Sequence, residues 1–300
     1  MEVTEGWNLG LAEAIRGLET ARFAPALGAA LRKVAPFTYT VMFAFRGEDP
    51  PLDLYDDFGA ERRSIYVTDY QAGPYLLDPF FHAARGGIAP GLYRMRELAP
   101  DRFYQSEYYR SYYVQTGLAE EIGFFLSPAP GIMVTMSLMR VAGTPAFSER
   151  ELKRLRQVAP AVIALAERNW RGLAARFAVE PEPAEDPLRD AFAAIGRQPL
   201  TQRESEVVAL VLRGHSSEAI GAALGIAPGT VKIHRKNIYA KLAIGSQAEL
   251  FSLFMSGRAG AAERGRGARG DAFAASNAGK GRAGLAVSPA AATYPGRKGR

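Results

Sequence analysis

The sequence predicts an α+β chain: an N-terminal α/β/α sensor-like domain, an all-α four-helix domain and a disordered tail. Three observations lead there. Helix-period and strand-period apolar patterns interleave over residues 7–176, Pro181, Pro183 and Pro187 punctuate an acidic stretch, and beyond residue 195 the strand pattern gives way to short capped helices. The boundaries follow as 1–180 for a sensor, ligand-binding and dimerisation domain, 181–194 for a Pro/acidic linker, 195–257 for the helical domain and 258–300 for the tail.

In the first domain, Leu9–Leu18 and Ala24–Val34 read as amphipathic helices. Tyr39, Val41, Phe43 and Phe45 alternate with Thr38, Thr40 and Met42 in a strand, Phe37–Phe45, and Pro50-Pro51 precede a second, Leu52–Phe58. Ser64–Arg85 reads as largely helical with a break at Gly73-Pro74, Gly91–Leu98 as a strand, and Phe103–Thr116 as a helix. Glu121–Leu126 and Ile132–Val141 form a hairpin around the Ser127–Gly131 turn. A long helix, Ser148–Arg176, then opens with a capping box of Ser148 and Glu151.

The linker cannot be helical, because three prolines in seven residues remove donors and fix φ. In the second domain, Thr201 and Glu204 make another capping box, with Val207, Val208, Val211 and Leu212 turned inward. Gly214 ends that helix, Ser216 or Ser217 caps the next, and Gly225 marks a tight crossing. Pro228 starts a third helix where its missing N–H costs nothing. Ser246 and Glu249 cap a fourth, whose Leu250, Phe251, Leu253 and Phe254 serve either core or dimer seam. The Gly, Ala and Arg of residues 258–300 cannot bury enough apolar surface to fold.

Charge concentrates at the C-terminal end. Residues 195–257 carry seven Lys/Arg against four Asp/Glu, and residues 258–300 nine against two, the distribution expected where a chain meets a polyanion. On the third helix, at about 100° per residue, Val231, His234, Ile238 and Leu242 share one side. Lys232, Arg235, Lys236 and Tyr239 share the opposite one, with no acidic residue between Ile226 and Leu242. Such a face suits a major groove, since Lys and Arg donate to guanine or phosphate and Tyr to phosphate.

The segment Leu-Thr-x-Arg-Glu-x-Glu-Val at 200–207, with Gly214, Ser216, Ile220, Leu224, Thr230-Val231-Lys232, His234, Asn237-Ile238 and Lys241-Leu242, resembles the C-terminal domain of LuxR-type regulators. The resemblance implies a four-helix domain that binds double-stranded DNA, with the third helix in the major groove and the fourth making dimer contacts. By position it places Lys232, Ile233 and Lys236 at bases and Thr230, Ser217 and Arg203 at the backbone. Ala219, Gly221 and Ala227 depart from the family pattern and each weaken a helix by roughly 0.5–1 kcal/mol.

For the first domain, Tyr66, Tyr70, Asp78-Pro79 and Tyr93 resemble the acyl-homoserine-lactone domain, in which aromatics and an Asp-Pro line a pocket. That domain usually has tryptophans where tyrosines fall here, and Trp7 and Trp170 lie elsewhere. A PAS- or GAF-like fold is the broader alternative. Tyr104, Tyr108, Tyr109, Tyr112 and Tyr113 would wall a pocket or pack a core. Asp56-Asp57 follows two helices and a strand, the wrong place for a phosphoacceptor.

The residues present exclude several function classes. With no cysteine and three scattered histidines, disulfides, thiol chemistry and a metal site are not expected, nor is a cofactor. Without a P-loop, a strand-linked Gly-x-Gly-x-x-Gly or a Gly-x-Ser-x-Gly, an enzyme is not expected. Neither a membrane-length apolar run nor a signal peptide is present, which predicts a cytoplasmic protein. The expectation is a homodimeric, DNA-binding transcription regulator under a small-molecule effector. The alternatives are an N-terminal domain that only dimerises or binds a protein, an enzyme with an accessory DNA-binding module, and an RNA-binding protein.

Overall fold

The computed structural model describes residues 5–177 and 200–257. The expected linker 181–194 and the whole of the expected tail, 258–300, lie outside them.

Five antiparallel strands form one sheet in the order β2-β1-β5-β4-β3, with β1 Tyr39–Arg46, β2 Leu52–Asp56, β3 Gly91–Arg94, β4 Leu118–Ala129 and β5 Ile132–Val141. The central strands are buried almost throughout, because both faces of the sheet are covered. Met42, Ala44, Ile122, Phe124, Leu126, Val134, Met136 and Leu138 point to one face. There they meet α1 (Glu5–Arg16), α2 (Phe23–Val34) and the long α4 (Glu149–Asn169). The period of two sends Val41, Phe43, Phe45, Phe125 and Met139 to the other face.

That second face is covered by short, irregular helical pieces. They run as Ala60–Arg63, a wide π turn at Ser64–Asp69, Tyr70–Ala72, a 3₁₀ turn at Pro74–Leu77 and α3 (Pro79–Arg85). A second wide turn, Tyr108–Tyr113, lies between 3₁₀ turns at Phe103–Gln105 and Val114–Thr116. The helices expected over Ser64–Arg85 and Phe103–Thr116 are thus present but distorted.

Other segments differ from expectation for visible reasons. The strand at Gly91 stops at Arg94 and turns into a helical turn, Met95–Leu98, where the Glu97 side chain accepts the Arg94 backbone N–H at 2.9 Å. The hairpin is tighter than expected, with β4 running to Ala129 and Gly131 taking φ +72°. The long helix keeps its Ser148–Glu151 capping box but ends at Asn169. Trp170 then turns inward and packs edge-on against Phe23 at 5.7 Å, so the chain resumes only as a 3₁₀ turn, Leu173–Phe177. Trp170 and Trp7 are core residues of the three-helix face. Asp57 accepts the Thr40 N–H at 2.8 Å and pairs with Arg32, and Asp56 pairs with Arg63, so both acids serve structure.

The helical domain comprises α5 (Gln202–Arg213), α6 (Ser217–Leu224), α7 (Pro228–Leu242) and α8, residues 247–257. Thr201 and Glu204 cap α5 reciprocally, Ser216 caps α6 by accepting the Ala219 N–H at 3.0 Å, and Ser246 accepts from Glu249 N–H at 3.1 Å. Leu250, Phe251 and Phe254 are buried among Val207, Val211, Val231 and Ile238, which assigns them to the core. Gly225 supplies left-handed backbone at φ +66° but has open space around it. The close approach is at Gly221, where a Cβ would lie 2.6 Å from the Ile226 carbonyl oxygen. No helix among the described residues is long and apolar enough to cross a membrane.

The two halves touch. Arg102 N–H donates to Gly214 O at 2.9 Å, and Ser216 N–H donates to Asp101 Oδ1 at 3.0 Å. These bonds tie the α5–α6 turn to the segment that leads into the Phe103–Thr116 turns.

Candidate DNA-reading face and effector cavity

The candidate DNA-reading face is assembled from the packing of α7. Val231, Ile238 and Leu242 are buried on α5 and α6, which leaves the far side of α7 outside. At about 100° per residue that far side carries Lys232, Ile233, Lys236, Asn237 and Ala240, all exposed. Ile233 is 61% exposed, a large apolar side chain with no packing role of its own. Pro228 occupies the first turn, and the Ala227 side chain provides no cap, so the N-terminus of α7 stays bare.

The remaining expected DNA contacts fall at the edges of this face. Arg235 and Tyr239 are half-buried. The Arg235 guanidinium lies 3.3 Å from the Tyr239 hydroxyl and 5.9 Å above its ring, beside Gln247 at 3.5 Å. They border the face, while Asn237, unmarked as a contact in the sequence reading, stands within it. Thr230 is exposed near the start of α7, and Ser217 is buried at the start of α6. Arg203 donates to Leu224 O at 2.6 Å and to Glu206 at 2.8 Å, so it caps the C-terminal end of α6 with about a third of its side chain still open. Lys241 leaves the face altogether and pairs with buried Glu204 at 2.7 Å. Burial alone would raise the Glu204 carboxyl, but Lys241 and the Thr201 N–H and hydroxyl outweigh it and hold the group below the usual range.

The second feature is a small cavity, about 40 Å³, between the sheet and its irregular helical cover, lined by aromatic side chains with a few polar groups among them, the lining of a small-molecule site. Strand alternation builds its floor from Val41, Phe43, Glu121, Thr135, Ser137 and Met139. Gly123, on the same face, leaves room for the Phe80 ring, whose Cε2 a Cβ there would meet at 2.7 Å. The walls are Tyr66, Tyr70, Tyr108, Tyr112 and Tyr113 with Asp78, Phe80, Thr116 and Leu118.

Of the expected ligand residues, Tyr66, Tyr70 and Asp78 line this cavity. Tyr93 does not; it stands on β3, packs edge-on against Phe125 at 5.5 Å and donates to Ala89 O at 3.0 Å. Tyr108, Tyr112 and Tyr113 face the cavity because the π turn widens the helix there, whereas Tyr104 is 49% exposed. Glu121 is a site residue that the sequence reading passed over. Its signal was present: an acid in a run apolar on both faces, and therefore in a strand buried on both sides.

Asp78 serves the cavity and the fold together. One carboxylate oxygen accepts the Phe80 N–H at 2.8 Å to cap α3, and the other accepts the Tyr70 hydroxyl at 2.6 Å. Burial pushes its carboxyl up to about 6, against the Tyr70 and Phe80 bonds. Burial, with the charge of Asp78 added, pushes Glu121 up to about 8, although the Ser137 and Tyr113 hydroxyls donate to it.

Residues 198–254 match the family described as bacterial regulatory proteins, luxR family. An Aeromonas salmonicida protein named as an HTH-type transcriptional regulator in the exeN 3' region is 38% identical over 184 residues, spanning 60% of this chain and 93% of that one. The monoamine regulon transcriptional regulator of Klebsiella aerogenes is 32% identical over 223 residues, spanning 74% of this chain and 86% of that one. Among solved structures, the VqsR LBD domain of Pseudomonas aeruginosa aligns with 56% of this chain and 99% of its own at 22% identity and a TM-score of 0.49.

Proposed function

The chain belongs to the LuxR family of bacterial regulatory proteins, and from that premise we propose that it regulates transcription as a homodimer on double-stranded DNA, under control of a small molecule held in the N-terminal cavity. The observation that carries the DNA reading is the outward side of α7. Lys232, Lys236 and Asn237 surround an exposed Ile233, on a helix held rigid by the buried Val231, Ile238 and Leu242. The two lysines donate to guanine or phosphate, Asn237 pairs with adenine in bidentate fashion, and Ile233 offers apolar contact to a thymine methyl. Thr230, exposed near the start of α7, and the open third of Arg203 serve phosphate in this reading, and the buried Ser217 contributes there through its backbone N–H at the start of α6.

Effector control is supported by the cavity and by the bonds joining Asp101 and Arg102 to Ser216 and Gly214. The segment behind those bonds continues into the tyrosine-bearing turns of the cavity wall. A ligand that reshapes the wall therefore acts on residues in direct contact with the DNA-reading domain. A competition binding assay tests the DNA reading: preference for one duplex over random sequence, lost in Lys232→Ala/Lys236→Ala, supports it. Equal affinity for every duplex opposes it.

A further inference from the structure

The cavity holds an uncommon combination of groups. Asp78 stands in the wall and Glu121 in the floor, both nearly inaccessible, yet their hydrogen-bond donors among the described residues are neutral: the Tyr70 hydroxyl, the Phe80 N–H, and the Tyr113 and Ser137 hydroxyls. No Lys, Arg or His lines the cavity. Two carboxyl groups in one apolar enclosure disfavour each other's ionised forms, and each costs free energy to bury without a counter-charge. Elsewhere in the first domain buried charge is matched: Arg94 meets Glu120 and Glu149, and Arg140 meets Glu151. Five tyrosines, Tyr66, Tyr70, Tyr108, Tyr112 and Tyr113, line the same cavity, and Tyr70 and Tyr113 direct their hydroxyls at the two carboxyls; aromatic rings near a cation attract it.

We propose that the cavity takes a small organic cation, a protonated amine on an apolar or aromatic body, with its ammonium held by Asp78 and Glu121 and its body against Val41, Phe43 and Met139. This rests on the reading of the cavity as the effector site. An ammonium group donates to both carboxylates and supplies the missing charge, while the tyrosine rings stabilise what remains exposed of it. A neutral acyl lactone satisfies Asp78 through an amide N–H but brings Glu121 nothing that favours its ionised form. An anionic ligand is repelled by both acids.

The test uses the full chain and two probe sets, 2-phenylethylamine and n-octylamine against 2-phenylethanol and N-octanoyl homoserine lactone, read by thermal shift and calorimetric titration. The amines are expected to raise Tm and to bind at least about tenfold more weakly to Glu121→Gln, because one of two charge partners is gone. The neutral probes are expected to leave Tm unchanged. A calorimetric readout on the unmodified chain keeps the test independent of variant folding: amine binding at pH 7 releases the proton held by Glu121, so the enthalpy varies with the ionisation enthalpy of the buffer. Tight binding of the neutral probes, undiminished in Glu121→Gln, overturns the cation and leaves the effector site standing. Failure of both sets to bind overturns the effector reading as well.

Discussion

Replacing Gly214 by alanine perturbs the junction between the two halves, and Gly225 supplies its control. Both glycines end helices in left-handed backbone, with φ of +94° and +66°. Alanine in that region costs about 1–2 kcal/mol. At 225 a Cβ meets nothing within 4 Å, so the backbone term is the whole effect. At 214 it would stand 2.8 Å from the Phe103 Cα and 3.1 Å from the Phe103 N, backbone atoms that cannot rotate aside. The segment must move, at an overpacking cost of about 1–3 kcal/mol. That movement stretches the Arg102 N–H bond to Gly214 O, at 2.9 Å, and removes about 1 kcal/mol more. Gly225→Ala should therefore lose about 1–2 kcal/mol and Gly214→Ala about 3–6 kcal/mol. Urea unfolding of the full chain, with m unchanged, measures both. Losses equal to within about 0.5 kcal/mol would refute the contact between residues 101–103 and the α5–α6 turn.

Four further outcomes follow from the same geometry. Gly221→Ala should lower the unfolding midpoint although alanine is the better helix former by about 1 kcal/mol, because its Cβ would overlap the Ile226 carbonyl; a raised midpoint opposes that packing. Lys236→Ala should cost about 1–3 kcal/mol with relaxed preference at one base pair if it reads a base, and uniform weakening in binding titrations would make it a phosphate contact. Glu204 has its carboxyl held down in the folded state, so its contribution is present above the unfolded value and lost as pH falls through the folded one; Glu204→Gln should flatten the acid limb of stability, and an unaltered limb would contradict the Lys241 pairing. Glu121 has the opposite sign. With its carboxyl raised to about 8, the unliganded chain loses stability as pH climbs from the unfolded value to that point, and Glu121→Gln should raise Tm at pH 8.

How far the residues themselves revealed this structure depends on the range of the interaction concerned. The capping boxes at Ser148, Thr201 and Ser246 were legible because a cap is satisfied within four residues. So were the outlines of β1 and β5 and the inward Val231, Ile238 and Leu242 of α7. What escaped was set by distant contacts. The wide turns at Ser64–Asp69 and Tyr108–Tyr113 turn tyrosines into the cavity, yet their local pattern is that of an ordinary helix. Gly225 looked like the tight crossing because only its φ is legible, whereas the crowding belongs to Gly221 and depends on the path of Ile226. On α7 the wheel centred the basic face on Arg235 and Tyr239. Packing beside Gln247 half-buries both and rotates the open face toward Ile233 and Asn237. Glu121 was missed because its role depends on which strand lies opposite and on what covers that face.

Selection of bound sequences from a random pool of double-stranded DNA by the purified full chain tests the central claim most directly. The account predicts an enriched motif of two related half-sites about 10 base pairs, or a multiple of that, centre to centre. It also predicts loss of the enrichment in Lys232→Ala/Lys236→Ala. A pool that stays random, with binding that depends on salt alone, would contradict it.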